Sequence, residues 1–251
     1  MKQILIVGGG GGGLGGALLK TLLEQHYKLV VSGRTNPADQ RVEKFYPIDA
    51  RSVDWRSLYV TVEKETAAPI DAVIFLAGAG VFGKTVLVPL ERARQTFELN
   101  FWACATAASA AAEYWSEKNQ AGKFVAILSI VARRAVPFEA YYAASKAAAA
   151  RFLGCLQLEY GHKNIEFVCA FPGLLRTAFR RHAEWYGIEP AFADEGADVE
   201  KTAQAVVKLL QGKRHARVIG WRERSVDLVD RLMPGLYDRV VLRHRMKSMM
   251  K

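Results

Sequence analysis

The chain has 251 residues, 51% of them hydrophobic and 24% charged. That balance excludes a disordered or fibrous polymer, and the length can bury a self-sufficient core. The net charge is +10, and +7 of it falls in the last 39 residues, where eleven Lys/Arg face four Asp/Glu.

In chain order, strand-like and helix-like segments alternate. QILIV is a short apolar run ended by glycine, LLKTLLEQ has helical spacing, and KLVVS is a second strand closed by GRTNP. RSLYVTVEKET reads as a helix, DAVIFLAG as a buried strand, and ERARQTFELNFWACATAASAAAEYWSEK as one long Ala-rich helix. KFVAILS, AYYAASKAAAARFLGCLQLEY and IEFVCAF repeat the strand–helix–strand order. DVEKTAQAVVKLLQ and ARVIG close it with a helix and a strand. Strands that are apolar on both faces and separated by helices predict a parallel sheet covered on both sides. Right-handed crossovers then give an α/β fold, a single doubly wound, Rossmann-like domain over 1–251 with a mostly parallel seven-stranded sheet flanked by helices on both faces. No Pro-rich linker, secretory signal core or bilayer-spanning run is present, so a cytoplasmic location is expected. Cys104, Cys155 and Cys169 lack CxxC spacing and read as buried, inert thiols.

Six glycines run unbroken from Gly8 to Gly13, followed by Gly15 and Gly16. A linker belongs between domains, but this run directly follows a strand and opens a helix, the placement of a dinucleotide-binding turn. There one glycine makes the tight turn, one lets the backbone approach a pyrophosphate, and one packs helix on strand. The helix N-terminus offers free N–H groups to the phosphates. The spacing fits G-x-x-x-G-x-G with Gly9, Gly13 and Gly15 in register, although other registers are open. In this register Gly10, Gly11 and Gly12 are surplus.

That spacing, together with four motifs further along the chain, resembles the short-chain dehydrogenase/reductase superfamily over about residues 3–220. GGGGGGLG, Gly8 to Gly15, lies over the family's TGxxxGxG, and TFELNFW supplies its helical Asn as Asn100. VAILSIVA supplies its strand-end Ser as Ser129, YYAASK its YxxxK as Tyr142 and Lys146, and FPGLLRT its PGxxxT as Pro172, Gly173 and Thr177. Tyr142 stands 13 residues after Ser129, the family's usual interval. Two positions depart from the pattern: the family's Thr is Gly8, and its NNAG is FLAG, Phe75 to Gly78. An apolar brace between two strands is expected there in place of a polar one.

The resemblance implies Tyr142 as general acid/base, with Lys146 lowering its pKa and binding the nicotinamide ribose. It implies Ser129 holding the substrate oxygen and Asn100 positioning Lys146 through water. A dinucleotide is implied along Gly9, Gly13, Leu14 and Gly15, Asp49 at the adenine with Ala50, Ala77 and Gly78, and Pro172, Gly173 and Thr177, with no metal. Residues four apart share a helix face, so Tyr142 and Lys146 point the same way. A free Tyr titrates near pKa ~10, and a nearby ammonium favours its phenolate. Cofactor choice is read at the end of the second strand, VVSGRT, where NAD(H) wants a carboxylate and a 2′-phosphate wants a cation. Gly33 stands where the acid would be and Arg34 is next, with Ser32 as a helper, so NADP(H) is expected over NAD(H).

Residues 178–200 fall where the family places its variable substrate lid. Phe179, Trp185, Tyr186 and Phe192 offer apolar surface there, and Arg180 and Arg181 offer charge; core packing is the other account of the aromatics. Residues 221–251 form a basic amphipathic extension, with Leu228, Leu232, Leu236 and Val240 in one row and Val229, Met233, Tyr237 and Val241 in the next. Pro234 and Gly235 should break it. It reads as a helix docked on the domain or on a partner subunit, with a peripheral membrane contact as the alternative and no nucleic-acid partner. The expected function is NADPH-dependent reduction of a ketone to a secondary alcohol. The alternatives are the reverse oxidation and a dinucleotide sensor without turnover. Arg133, Arg134, Arg180 and Arg181 make an acyl-carrier-bound keto thioester one candidate substrate beside free lipid or polyketide ketones. The resemblance also implies that the two Ala-rich helices pair subunits into a homodimer or homotetramer.

Overall fold

The structure is a computed structural model that describes residues 2–190, 196–237 and 239. Its strands are β1 (Gln3–Val7), β2 (Lys28–Gly33), β3 (Lys44–Pro47), β4 (Ala72–Phe75), β5 (Val81–Gly83), β6 (Gly122–Ile127), β7 (Ile165–Pro172), β8 (Glu184–Tyr186) and β9 (Ala216–Ile219). Its helices are α1 (Gly13–Glu24), α2 (Trp55–Thr66), α3 (Leu90–Phe97), α4 (Ala103–Glu117), α5 (Ala140–Tyr160), α6 (Val199–Gln211), α7 (Trp221–Leu232) and the short α8 (Pro234–Tyr237). Seven strands form one sheet in the order β3-β2-β1-β4-β6-β7-β9, with every neighbouring pair parallel. The expected doubly wound fold is therefore present, and its sheet is wholly parallel.

Strand alternation explains why the inner strands read as unbroken apolar runs. In β1, Ile4 and Ile6 join Leu18 and Leu22 of α1 and Val206 of α6 on one side of the sheet. Leu5 and Val7 face the other way and join Trp55 and Tyr59 of α2, Trp115 of α4 and Leu153 of α5. A strand buried on both faces gains hydrophobic stabilisation from every side chain, so no polar position survives to mark an exposed face. Asp54 and Asp198 cap α2 and α6 by accepting the N–H groups of Ser57 and Lys201 at 3.1 and 2.9 Å. Among the described residues no helix is long and apolar enough to cross a membrane.

Several elements differ from the sequence reading. The long Ala-rich helix is interrupted: α3 ends at Phe97, a wider π-helical turn occupies Glu98–Trp102, and α4 comes after it. Such single turns recur at functional sites, and this one buries Asn100. The edge strand β3 and the two-stranded parallel pair β5–β8 are additional elements. Cys155 is exposed on α5, whereas burial pushes the Cys104 and Cys169 thiols up to about 12. At the C-terminal end, α7 stops at Leu232 and α8 begins at Pro234. The row Leu228, Leu232 and Leu236 is exposed, and the helix is held to the body by Asp227 and Tyr237 instead. Phe192, Val240 and Val241 lie outside the described residues.

The glycine run is less redundant than its spacing suggests. A Cβ at Gly10 would overlap the Thr35 carbonyl oxygen, so two loops meet there with no room for a side chain. Gly12 has φ +82° and ψ −157°, a region essentially reserved for glycine. Gly11 has open space around it, and of the three surplus positions it alone is free of such a constraint. Gly12→Ala is accordingly expected to lower unfolding stability by about 1–3 kcal/mol, and Gly11→Ser by less than about 0.5 kcal/mol. Urea denaturation midpoints measure both, and equal midpoints would place the constraint elsewhere.

Candidate active site

At the carboxyl ends of the strands, where the strand order reverses between β1 and β4, a cleft of about 740 Å³ opens. One end is lined by Gly33, Arg34 and Asp49, the middle by Gly10 to Gly15, and the other end by Ser129, Tyr142 and Lys146. Leu14, Ala50, Ala77, Gly78, Pro172, Gly173 and Thr177 also line it, as the sequence positions required. Gly9 lies buried beneath the turn, and a Cβ on Gly15 would come within 2.5 Å of its carbonyl oxygen, so the pair packs α1 onto the turn.

Tyr142 and Lys146 sit one turn apart on α5, 7% and 4% exposed. The Lys146 amine donates to the Ile127 carbonyl at 3.4 Å, and burial pushes it down to about 8. Asn100 reaches α5 directly: its amide donates to Ser145 Oγ at 3.0 Å, and Ser145 donates to the Tyr142 carbonyl at 2.8 Å. The same side chain accepts from the Ala79 N–H and donates to the Ala79 carbonyl, both at 2.9 Å. A Cβ on Gly78 would stand 2.9 Å from Lys146 Nζ and 3.1 Å from Asn100 Oδ1, so those two atoms flank one backbone position. Ser129 lies just beyond the end of β6 and accepts from the Val131 N–H at 3.3 Å.

The phenol of Tyr142 is pushed well above the ordinary tyrosine range, first by burial and then by the Glu139 carboxylate. The Ser129 hydroxyl and the Arg180 guanidinium pull it back. Among the described residues Arg180 is the cation facing the phenol, while the Lys146 amine is directed at the Ile127 carbonyl and is itself desolvated. Glu139, 5% exposed, leaves the α5 N-terminus uncapped and pairs with Arg180 at 3.0 Å. Arg180 lies 4.6 Å from the centre of the Phe82 ring and 5.1 Å from that of Trp185. Phe82 and Phe179 both contact the Tyr142 ring, at 5.4 and 5.8 Å between centroids. Phe82, Phe179 and Trp185 thus form a small core around the phenol.

At the far end Arg34 lines the cleft, and Asp49 is gripped by Arg51, which with a smaller pull from Arg34 holds its carboxyl down at about 2. Ser32 does not help there. It is 0% exposed on the same side of β2 as Val30, facing the apolar layer, and its hydroxyl has no hydrogen-bond partner among the described residues. Its contribution is the backbone carbonyl, which accepts the Gly8 N–H at 2.7 Å. In place of a polar brace, Gly8 sits against Ala77, where a Cβ would be 2.8 Å from the Ala77 nitrogen. Sequence reasoning passed over Thr35, Arg51, Glu139 and Glu223, all of which line the cleft. Only Arg51 carried a signal, as a cation two residues from Asp49.

These residues fit a nicotinamide dinucleotide. The α1 N-terminus has no side-chain cap and no acid in its first turn, so its N–H groups are open to phosphate. Arg34 lines one end of the cleft, and a buried amine with no carboxylate partner among the described residues stands at the other. Replacing Arg180 by Met is expected to raise the Tyr142 pKa and replacing Glu139 by Gln to lower it, each on the order of one unit. Tyrosinate absorbance titration, with Tyr142→Phe as the reference, reads both, and shifts of the same sign would leave burial as the only control.

The short chain dehydrogenase family model matches residues 2–185. The chain is 28% identical over 178 residues to dehydrogenase/reductase SDR family member 7B of Bos taurus, covering 68% of this chain and 54% of the relative. The match thus spans about half of that relative's length. It is 20% identical over 253 residues to the uncharacterized oxidoreductase YxnA of Bacillus subtilis, covering 95% and 71%. A short chain dehydrogenase from Burkholderia cenocepacia, solved in complex with NADP, shares the fold with a TM-score of 0.79 at 22% identity, over 96% of this chain and 99% of that one. An alcohol dehydrogenase from Thermococcus sibiricus, complexed with 5-hydroxy-NADP, gives 0.73 at 20% identity over 87% and 96%. The all-parallel sheet, the glycine turn and the meeting of Ser129, Tyr142 and Lys146 at one cleft, with Asn100 buried behind Gly78, agree with the family match, and the chain belongs to the short chain dehydrogenase family.

Proposed function

We propose that the protein reduces a ketone to a secondary alcohol with NADPH. The observation that carries this reading is the meeting of Ser129, Tyr142 and Lys146 at one end of a cleft whose other end is lined by Arg34. A phenol beside a hydroxyl donor is the arrangement of a general acid that protonates a carbonyl oxygen. When bound, the cofactor supplies a hydride to the carbonyl carbon. Ser129 donates a hydrogen bond to the carbonyl oxygen and orients it toward Tyr142. Tyr142 then gives its proton to the oxygen as charge develops there. Lys146 holds the ribose of the nicotinamide half, and Asn100, through Ser145, holds α5 in register with the Gly78 turn.

Arg34 supports NADPH over NADH, since Gly33 leaves no acid at the end of β2 to meet the ribose hydroxyls. NADPH consumption across a panel of ketones tests the reaction. Tyr142→Phe is expected to lower kcat by roughly 10²- to 10⁴-fold while NADPH affinity stays unchanged. A wild type inert to the whole panel would instead indicate a dinucleotide-binding protein without turnover. Wild type should show higher kcat/KM with NADPH than with NADH, and Arg34→Asp should reverse that order; an NADH preference in wild type would overturn the cofactor assignment.

A further inference from the structure

The cations at the substrate end of the cleft are not equivalent. Arg180 is paired with Glu139 at 3.0 Å and Arg92 with Glu184 at 3.2 Å. Arg133, next to the cleft, is held by both oxygens of Asp227 at 2.7 and 3.0 Å. Arg134 lines the same space and has no carboxylate partner among the described residues. Its Nε and Nη1 are sealed from solvent without any hydrogen-bond acceptor there. Glu223, which also lines the cleft, lies over Gly173 and Gly220 and forms no ion pair with it among the described residues.

This guanidinium is also held in place. Its central carbon lies 5.5 Å from the centre of the Tyr237 ring, and Tyr237 is 2% exposed and donates to the Ala135 carbonyl at 3.4 Å. Arg134 lies five residues beyond Ser129, on a segment whose Val131 and Val136 pack with Phe82 and Tyr142. A partly buried cation with unmet donors is costly to the fold unless something bound there completes it. An anchored guanidinium without a counter-ion suits an oxyanion, most of all a carboxylate.

We propose that Arg134 binds an oxyanion carried by the ketone substrate, a carboxylate, so that the enzyme acts on oxo acids in preference to neutral ketones or thioesters. The assignment rests on the reductase reading. Its test compares pyruvate, acetoacetate, levulinate and 5-oxohexanoate with their methyl esters, and with dihydroxyacetone phosphate as the phosphate arm. At least one acid should exceed its ester in kcat/KM by about 100-fold. Arg134→Met should erase that preference by raising KM for the acid alone, leaving KM for the ester and for NADPH unchanged, and Arg134→Lys should restore part of it. Calorimetry of succinate and glutarate with the NADP-bound protein gives a readout without turnover, and binding should vanish in Arg134→Met. Equal treatment of acids and esters by wild type overturns the proposal, as does an Arg134→Met effect common to both. A preference for the phosphate compound alone replaces carboxylate by phosphate and overturns the oxo-acid assignment. If no ketone of any kind is reduced, the reductase reading fails and calorimetry alone decides whether Arg134 holds an anion: binding lost in Arg134→Met supports it, and no binding to wild type overturns it.

Discussion

Lys146 brings an amine to a place where 4% of the residue is exposed and where it meets a carbonyl at 3.4 Å and the backbone of a glycine. Desolvating a charge without a counter-charge is unfavourable, and the local structure is arranged to keep it there. The π-helical turn presents Asn100, which is bonded to both polar groups of Ala79 and to Ser145 on α5. Gly78 leaves out a side chain that would otherwise touch the amine. The helix that carries Lys146 packs on β7 through Leu153 and the apolar layer beneath it.

Much of this is legible in the chain because the site is written in local spacing. The inner strands announce themselves by being apolar on both faces, and Tyr142 and Lys146 by one helical turn. The features that escape the sequence depend on contacts between distant segments. Glu139 and Arg180 lie 41 residues apart, and neither position in isolation signals a pair around the phenol. β5 and β8 have three residues each, too short for any alternation, and exist only because each pairs with the other. β3 has a charged start and a Pro at its end and is only half-buried, as suits an edge strand. Ser32 misleads because composition says that a hydroxyl is present, while only strand alternation says which way it faces. The π turn in an Ala-rich helix has no propensity signature.

The basic character of the chain also changes meaning once the partners are seen. Arg133 and Arg180 read as positive charge for a carrier-bound substrate, yet each meets a carboxylate of its own chain, as Arg92 and Arg51 also do. Such pairs contribute little net stability where they are exposed. Buried, they instead specify which segments lie together: Arg133 with Asp227 ties the loop beyond Ser129 to α7, and Arg180 with Glu139 ties the lid to α5. Net charge therefore says less about partners here than the few cations left over after internal pairing.

The β5–β8 pair gives the lid a consequence for chemistry. Phe82 of β5 touches the Tyr142 ring, and β8 belongs to the segment that carries Arg180. A lid that swung away on this ribbon would take the guanidinium with it and leave Glu139 facing the phenol unopposed. The pairing of β5 with β8 thus also fixes which charges face the phenol.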